Sequence, residues 1–257
     1  MKVVLGSIAW RNYEANYVHS LAMLLKKYPQ VGLLPQTGDA LVERARSVVA
    51  TFFLRHTQAD VLLTIDSDID FDPDHAMRIC QQAEEYGIVV GAYAGRSFGH
   101  PKPTCELWPG TAVTFENDDT PVEIKYGASG FMAIHRRVFE ALLKRSDMPL
   151  CHAGKDWEFY PFYHTEVVED EDPAIGPILL SEDFAFCYKA RQEGFNTYLN
   201  PAVRLGHQGT HVYHLEDMAN KLLPVSPIRL SKEGVMYTVE IASVEEPELV
   251  ASAPLKA

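Results

Sequence analysis

The hydrophobic positions of this chain change period several times within its first hundred residues. Lys2 to Ala9 is rich in Val, Leu and Ile and predicts a short buried strand. From Asn12 to Lys27, the residues Ala15, Val18, Leu21, Ala22 and Leu25 recur at helical spacing, so a helix is expected there. Val31 to Leu34 predicts a second strand, closed by Pro35 and Gly38. Asp39 is then placed to cap a helix whose apolar face is Leu41, Ala45, Val48, Val49, Phe52 and Phe53. Val61 to Ile65 is an unbroken apolar run that ends in acids, the pattern of a central parallel strand buried on both faces. Pro73 opens another helix, and Ile88 to Ala92 is the next strand. Four alternations of strand and helix predict an α/β fold with a doubly wound, mostly parallel sheet. Such sheets bind ligands at the C-terminal ends of their strands.

The second half is less regular. Gly95 to Asp119 carries several Gly and Pro residues and reads as a loop-rich excursion with short strands. Val122 to Ile134 suggests two strands around Gly127 and Gly130, followed by a helix from Arg136 to Lys144. Met148 to Pro177 is acidic and aromatic and reads as a long loop or hairpin. Ser181 caps a helix that runs to Glu193 and stops at Gly194. Thr197 to Leu199 and Val203 to Leu205 are short strands. Beyond about Leu223 the prolines Pro224, Pro227, Pro247 and Pro254 predict a tail whose last part is mobile. The resulting division is one domain over 1–223, with a nucleotide-binding half at 1–95 and an acceptor and metal half at 96–223, followed by a tail at 224–257.

Composition narrows the function classes. A net charge of -12 weighs against tight non-specific nucleic-acid binding, which needs a basic surface to displace counterions. The four cysteines, Cys80, Cys105, Cys151 and Cys187, form no CxxC pair, so reduced thiols and a cytoplasmic location are expected. No apolar run approaches the ~18 residues that span a bilayer.

The sharpest chemical signal is the segment from Asp60 to Asp74. An apolar strand delivers Asp66 and Asp68 to its end, two residues apart and hence on one face. Paired carboxylates repel unless a cation neutralises them, and hard oxygen ligands suit Mg²⁺ or Mn²⁺, which in turn would hold a diphosphate. A calcium loop is excluded, because its sixth position is Phe71 rather than Gly and its twelfth is Met77 rather than Glu. A haloacid-dehalogenase phosphatase places its acids on the first strand, whereas these lie on the third. The plain alternative is an acidic turn whose Asp72 or Asp74 caps the next helix, and that reading is taken for those two residues.

Several segments in order resemble the GT-A glycosyltransferases, especially small bacterial and phage enzymes of the family 2 type. They are Asp39-Ala-Leu-Val-Glu-Arg44-Ala-Arg46, Asp66-Ser67-Asp68, Gly91-Ala-Tyr, Gly127-Ala-Ser-Gly130-Phe-Met-Ala-Ile, Ser181-Glu182-Asp183-Phe-Ala-Phe-Cys, and Asn200-Pro-Ala-Val-Arg-Leu-Gly206-His207-Gln-Gly209, spanning roughly residues 1 to 215. The resemblance implies a Rossmann-like nucleotide-diphospho-sugar transferase fold and an Mn²⁺- or Mg²⁺-dependent transfer from a UDP-sugar or related donor. It implies Asp66 on the ribose and metal side, Asp68 as direct metal ligand, and His207 as a late further ligand. His211 and His214 follow His207, and for these two a place at a loop edge is the simpler reading.

Further roles follow from the same resemblance. Asp183 would be the general base of an inverting transfer, with Glu182 orienting or contacting the acceptor; both also suit the first turn of a helix. Donor contacts would come from Ser7, Ala9, Trp10, Arg44, Arg46, Asp66, Ser67 and Gly130. Each arginine has a second reading as an acid-paired or solvated side chain, and the glycines one as a strand bulge. The end of the first strand lacks the family's Pro, which leaves the nucleobase open. Trp108, Trp157 and Tyr160 are candidates for an acceptor groove. Acceptors in this chemistry include a glycan, a lipid-linked intermediate, a protein or a modified nucleobase. A retaining transferase, a non-catalytic nucleotide- or glycan-binding domain and a metal-dependent phosphatase are the competing readings.

Overall fold

The computed structural model describes residues 1–96, 102–115, 118–170, 174–209, 212–214, 228–232 and 235–239. The elements in chain order are β1 (Val3–Ala9), α1 (Ala15–Lys27), β2 (Gly32–Thr37), α2 (Val42–His56), β3 (Val61–Asp66), β4 (Ile69–Phe71), α3 (Pro73–Tyr86) and β5 (Ile88–Val90). There follow β6 (Cys105–Glu106), β7 (Val113–Phe115), β8 (Val122–Ile124), β9 (Tyr126–Gly127), β10 (Phe131–His135) and α4 (Arg136–Leu142). The last are β11 (Glu166–Glu169), β12 (Pro177–Leu180), α5 (Glu182–Gln192), β13 (Thr197–Leu199), β14 (Leu205–Gln208), β15 (Val212–Tyr213), β16 (Ile228–Lys232) and β17 (Val235–Val239).

Seven strands build the central sheet in the order β2-β1-β3-β10-β5-β13-β8. β1 pairs in parallel with both β2 and β3, and β13 pairs in parallel with β5. The expected parallel sheet needs correcting in its second half. β10 runs against both β3 and β5, and β8 runs against β13. The reason is local: β10 follows the short strands β8 and β9, without a crossover helix to reverse the chain. A parallel neighbour needs such a crossover.

Helices cover both faces, as the alternation predicted. Tyr17 and Leu24 of α1 and Ala76, Ile79, Cys80 and Ala83 of α3 pack with Leu5, Leu63 and Val89 on one face. Ala45, Val49 and Phe53 of α2, Val138 and Phe139 of α4, and Ala185 and Phe186 of α5 pack with Val4, Leu62 and Val90 on the other. Successive residues of one strand thus serve opposite cores, and each buried Leu, Val or Phe contributes roughly 1.5–3 kcal/mol. Cys80, Cys105 and Cys187 are buried free thiols.

Several elements differ from the sequence reading. Pro35 does not close β2 but lies inside it, opposite Ser7, because β2 is an edge strand and has no neighbour asking for that missing N–H. α2 is capped at Leu41, while Asp39 accepts the Leu41 N–H from outside the helix. β4 was hidden in the acidic segment and pairs with β14, Ile69 facing His207. Within the region read as a tail, β16 and β17 form a hairpin that joins β7. Among the described residues, no helix is long and apolar enough to cross a membrane.

Candidate active site

A groove of about 280 Å³ opens at the C-terminal ends of β1 and β3. Ile8, Trp10, Asp39, Ala40, Val42, Asp66, Ser67, Asp68 and Arg96 line it. Asp66 closes β3, whereas Ser67 and Asp68 make the turn into β4. The two acids therefore reach one groove through a turn, and not through the two-residue period of a strand. A second, smaller hollow of about 180 Å³ is lined by Asp70, Phe71, Asp72, Arg204, Leu205, Gly206 and His214.

Asp68 faces Arg96 and His207. Its Oδ2 lies 2.8 Å from Arg96 Nη1 and 3.6 Å from His207 Nε2. Burial alone would push the Asp68 carboxyl up, but its hydrogen bond to His207, with the His207 and Arg96 charges, holds it below the usual range. His207 is buried on β14, and its Nδ1 sits 2.9 Å from the Ala94 carbonyl. The Nδ1 proton donates to that carbonyl, so Nε2 is the nitrogen turned to Asp68. In the charged ring it presents a proton to the carboxylate, and in the neutral ring it would present the lone pair that a metal ligand needs. Asp68 and His207 together would supply one carboxylate and one imidazole ligand to a divalent ion. No group of three or more candidate ligands occurs among the described residues.

Asp66 has a different environment. Arg46 Nη2 donates to both its oxygens, at 2.7 and 2.8 Å, and Arg46 Nη1 pairs with Glu182 at the start of α5. The Arg46 side chain is only 5% exposed. Burial would push its guanidinium down, but Asp66, Glu182 and Asp183 outweigh that and hold it above its ordinary value. Burial pushes Glu182 up, against the pull of Arg46 and with the repulsion of Asp183 and Asp66 behind it. Asp183, in the first turn of α5, accepts from the Ser181 hydroxyl and from the Phe184 N–H at 2.9 Å, both on Oδ1. Its second oxygen is the one left to take a proton.

The close packing around Asp66 explains Gly130. A Cβ there would overlap the Tyr93 hydroxyl and stand 2.9 Å from Asp66 Oδ2. The glycine's role is therefore close approach rather than a bulge. Tyr93 is itself buried, and burial together with the charge of Asp66 raises its hydroxyl well above the usual value.

Other residues expected at the site stand elsewhere. Ser7 is buried and paired with the Tyr17 hydroxyl, and Ala9 is buried too, so Ile8 and Trp10 line the groove in their place. Trp10 is 53% exposed and carries the Arg11 guanidinium over its ring at 3.9 Å. Arg44 is half-exposed and gripped by Asp39, with Nε and Nη2 both at 2.7 Å. Arg46 is a bridge between carboxylates rather than a lining residue. Asp72 caps α3 through the Asp74 N–H, and Asp74 pairs with Lys27 and Tyr28 rather than capping. Trp108 lies under Arg191, Trp157 packs on His152, and Tyr160 packs near Phe162; none of them lines the groove. His211 lies outside the described residues, and His214 lines the second hollow.

Arg96 was not foreseen: no periodic or motif signal marks it, and it follows Gly95 in a loop. Tyr93 belongs to the Gly91-Ala-Tyr segment of the resemblance, which assigned it no role.

No protein-family model matches the sequence, and no curated protein matches it. Among solved structures, the chain is similar to A197 from STIV, with a TM-score of 0.53 and 15% identity, over 96% of this chain and 100% of that one. At that identity the likeness is one of fold: both are built on the same α/β architecture.

Proposed function

We propose that the chain is a metal-dependent glycosyltransferase of the GT-A type, moving a sugar from a nucleotide-diphosphate donor, a UDP-sugar, onto an acceptor hydroxyl with inversion. The observation that carries this reading is Asp68 beside the Nε2 of a histidine whose Nδ1 is held by a backbone carbonyl, next to a groove lined by Asp66 and Asp68. The likeness in fold to A197 from STIV is compatible with it and carries no chemistry.

In this reading the nucleoside lies along Ile8, Trp10 and Val42, where the exposed Trp10 ring offers a stacking face. Asp68 and His207 would hold Mn²⁺ or Mg²⁺, whose charge would offset that of the leaving diphosphate. Asp66, fixed by Arg46, offers acceptor oxygens to donor hydroxyls. Asp183 takes the acceptor proton as the oxygen attacks the anomeric carbon, on the carboxylate oxygen that Ser181 and Phe184 leave open. Glu182 holds Arg46 and, through it, the distance between the two acids.

The test has two parts. UDP, GDP, CDP and dTDP are screened by thermal shift with Mn²⁺, Mg²⁺ or EDTA, since a ligand of the native state raises its melting point. One nucleotide is expected to shift it, and the shift is expected to vanish with EDTA and in Asp68→Ala. Asp183→Asn should keep that shift and lose nucleotide release from the matching nucleotide-sugar. A nucleotide shift indifferent to EDTA would remove the metal from the reading, and an Asp183→Asn variant with full turnover would remove the base.

A further inference from the structure

Arg96 touches the candidate metal site from an unexpected side. Its Nη1 lies 2.8 Å from Asp68 Oδ2, the same oxygen that stands 3.6 Å from His207 Nε2. The same nitrogen donates to the Gln208 carbonyl at 3.3 Å, so the guanidinium is seated between the turn after β3 and the end of β14. Gln208 in turn donates its N–H to the Asp68 carbonyl at 2.8 Å. The side chain is 48% exposed and also lines the groove.

These facts set up a competition. Asp68 is largely buried and negative, and with no divalent ion present the nearest permanent positive charge to its Oδ2 is Arg96. An ion held by Asp68 and His207 would need that oxygen, and two cations within a few ångströms in a half-buried site repel each other. A half-exposed arginine lining the groove has room to turn, and its planar fork suits the oxygens of a diphosphate.

We infer that Arg96 is an internal stand-in for the metal. It holds Asp68 in the ligand-free protein, yields Oδ2 to an incoming divalent ion, and then serves as a phosphate contact in the groove. This rests on the metal reading of Asp68 and His207, and it adds a consequence that reading lacks. Metal alone must displace Arg96 without compensation, whereas metal with a nucleoside diphosphate gives the displaced guanidinium a new partner. The two ligands therefore bind with positive cooperativity.

The experiment is a titration of Mn²⁺ into nucleotide-free protein, with free Mn²⁺ read from its electron paramagnetic resonance signal. Wild type, Arg96→Ala, Arg96→Gln and Arg11→Ala are compared, with circular dichroism melts to verify folding. Arg11 sits over Trp10 at the same groove and controls for loss of one positive charge. Both Arg96 variants are expected to bind Mn²⁺ alone about 10-fold more tightly, within the usual span of coupling between sites. Arg11→Ala should change it less than about 2-fold, as a rim charge screened by salt. The nucleotide identified by the thermal screen should strengthen Mn²⁺ binding in wild type, and do so less in the Arg96 variants. Equal Mn²⁺ affinity in wild type and both Arg96 variants overturns the inference and leaves the metal reading standing. An Arg11→Ala effect as large as that of Arg96→Ala also overturns it, because bulk charge would then suffice. Absence of Mn²⁺ binding in every protein overturns both.

Discussion

The rim of the groove and the polar floor beneath it use the same residue types in opposite ways. On the rim, Arg44, Arg96 and Arg11 are half-exposed or lie over an exposed ring, and their polar or aromatic neighbours are ones that a ligand can replace. On the floor, Arg46 is buried and committed to two carboxylates at once, one from β3 and one from α5. Arg44 and Arg46 are two residues apart on one helix, yet one turns to the surface and the other into the core. The difference teaches where this site keeps its rigidity. The acids are fixed from below by a buried charge, and the surface above them is left to adapt.

The strongest way to break that distinction is Arg46→Ala. Removing one member of a buried ion network strands the others, and such losses cost about 3–5 kcal/mol. The expected result is a large fall in the urea midpoint. Arg46→Lys should recover only part of it, because an ammonium has no fork to bridge Asp66 and Glu182. If Arg46→Ala unfolds with wild-type stability, the floor is not held by this residue and the contrast with Arg44 collapses.

Gly130→Ala probes the same floor by volume. The added methyl meets the Tyr93 hydroxyl and Asp66 Oδ2, so an overpacking penalty of roughly 1–3 kcal/mol is expected. Tyr93→Phe in the same chain should return part of the loss in a thermal melt, since it removes the atom in closest conflict. No recovery would place the strain in the backbone instead of at Tyr93.

These floor contacts also mark what the sequence made legible. The strand ending at Asp66, the helices α2, α3 and α5, and the layered α/β plan follow from period and capping. Each depends on neighbours in the chain. The antiparallel β10 did not follow, because strand direction is decided by how the chain returns to the sheet, and no local pattern encodes that. For Arg46 the sequence left a phosphate contact and an acid-paired side chain both open, and the structure shows the second; an arginine on an apolar helix face gives no sign of which distant acids will meet it. Glu182 is 136 positions away from Arg46 in the chain. The turn that carries Asp68 was likewise concealed by the run of acids, of which Asp70, Asp72 and Asp74 serve Ser20, the α3 cap and Lys27.

Titration sharpens the comparison further, because a floor acid and a groove acid shift in opposite directions. Glu182 is raised above 4.5 by burial, so its contribution to stability is present below that value and lost as pH rises through its folded value. Asp68 is lowered below 3.8, despite its burial, by His207 and Arg96. Its contribution is present above 3.8 and lost as pH falls through its folded value. Melting points measured from about pH 3 to 7 are expected to separate the two. Glu182→Gln should flatten the loss above pH 4.5, and Asp68→Asn should flatten the loss on the acid side. If both variants flatten the same limb, the two acids do not occupy distinct electrostatic regions.

The smallest effect is expected at Arg44, and it is informative for that reason. Its guanidinium makes two hydrogen bonds of 2.7 Å to Asp39, a geometry as good as that of Arg46 with Asp66. What differs is solvent. Water solvates an exposed arginine once its partner is gone, and salt screens the pair while it exists. Arg44→Ala should therefore leave the melting point unchanged within error, at low and at high salt. Any consequence should appear instead in nucleotide binding, because Asp39 lines the groove and would lose the partner that orients it. A drop in melting point comparable to that of Arg46→Ala would mean that hydrogen-bond geometry, and not burial, sets the value of these pairs. The division between rim and floor would then have to be redrawn around Asp39.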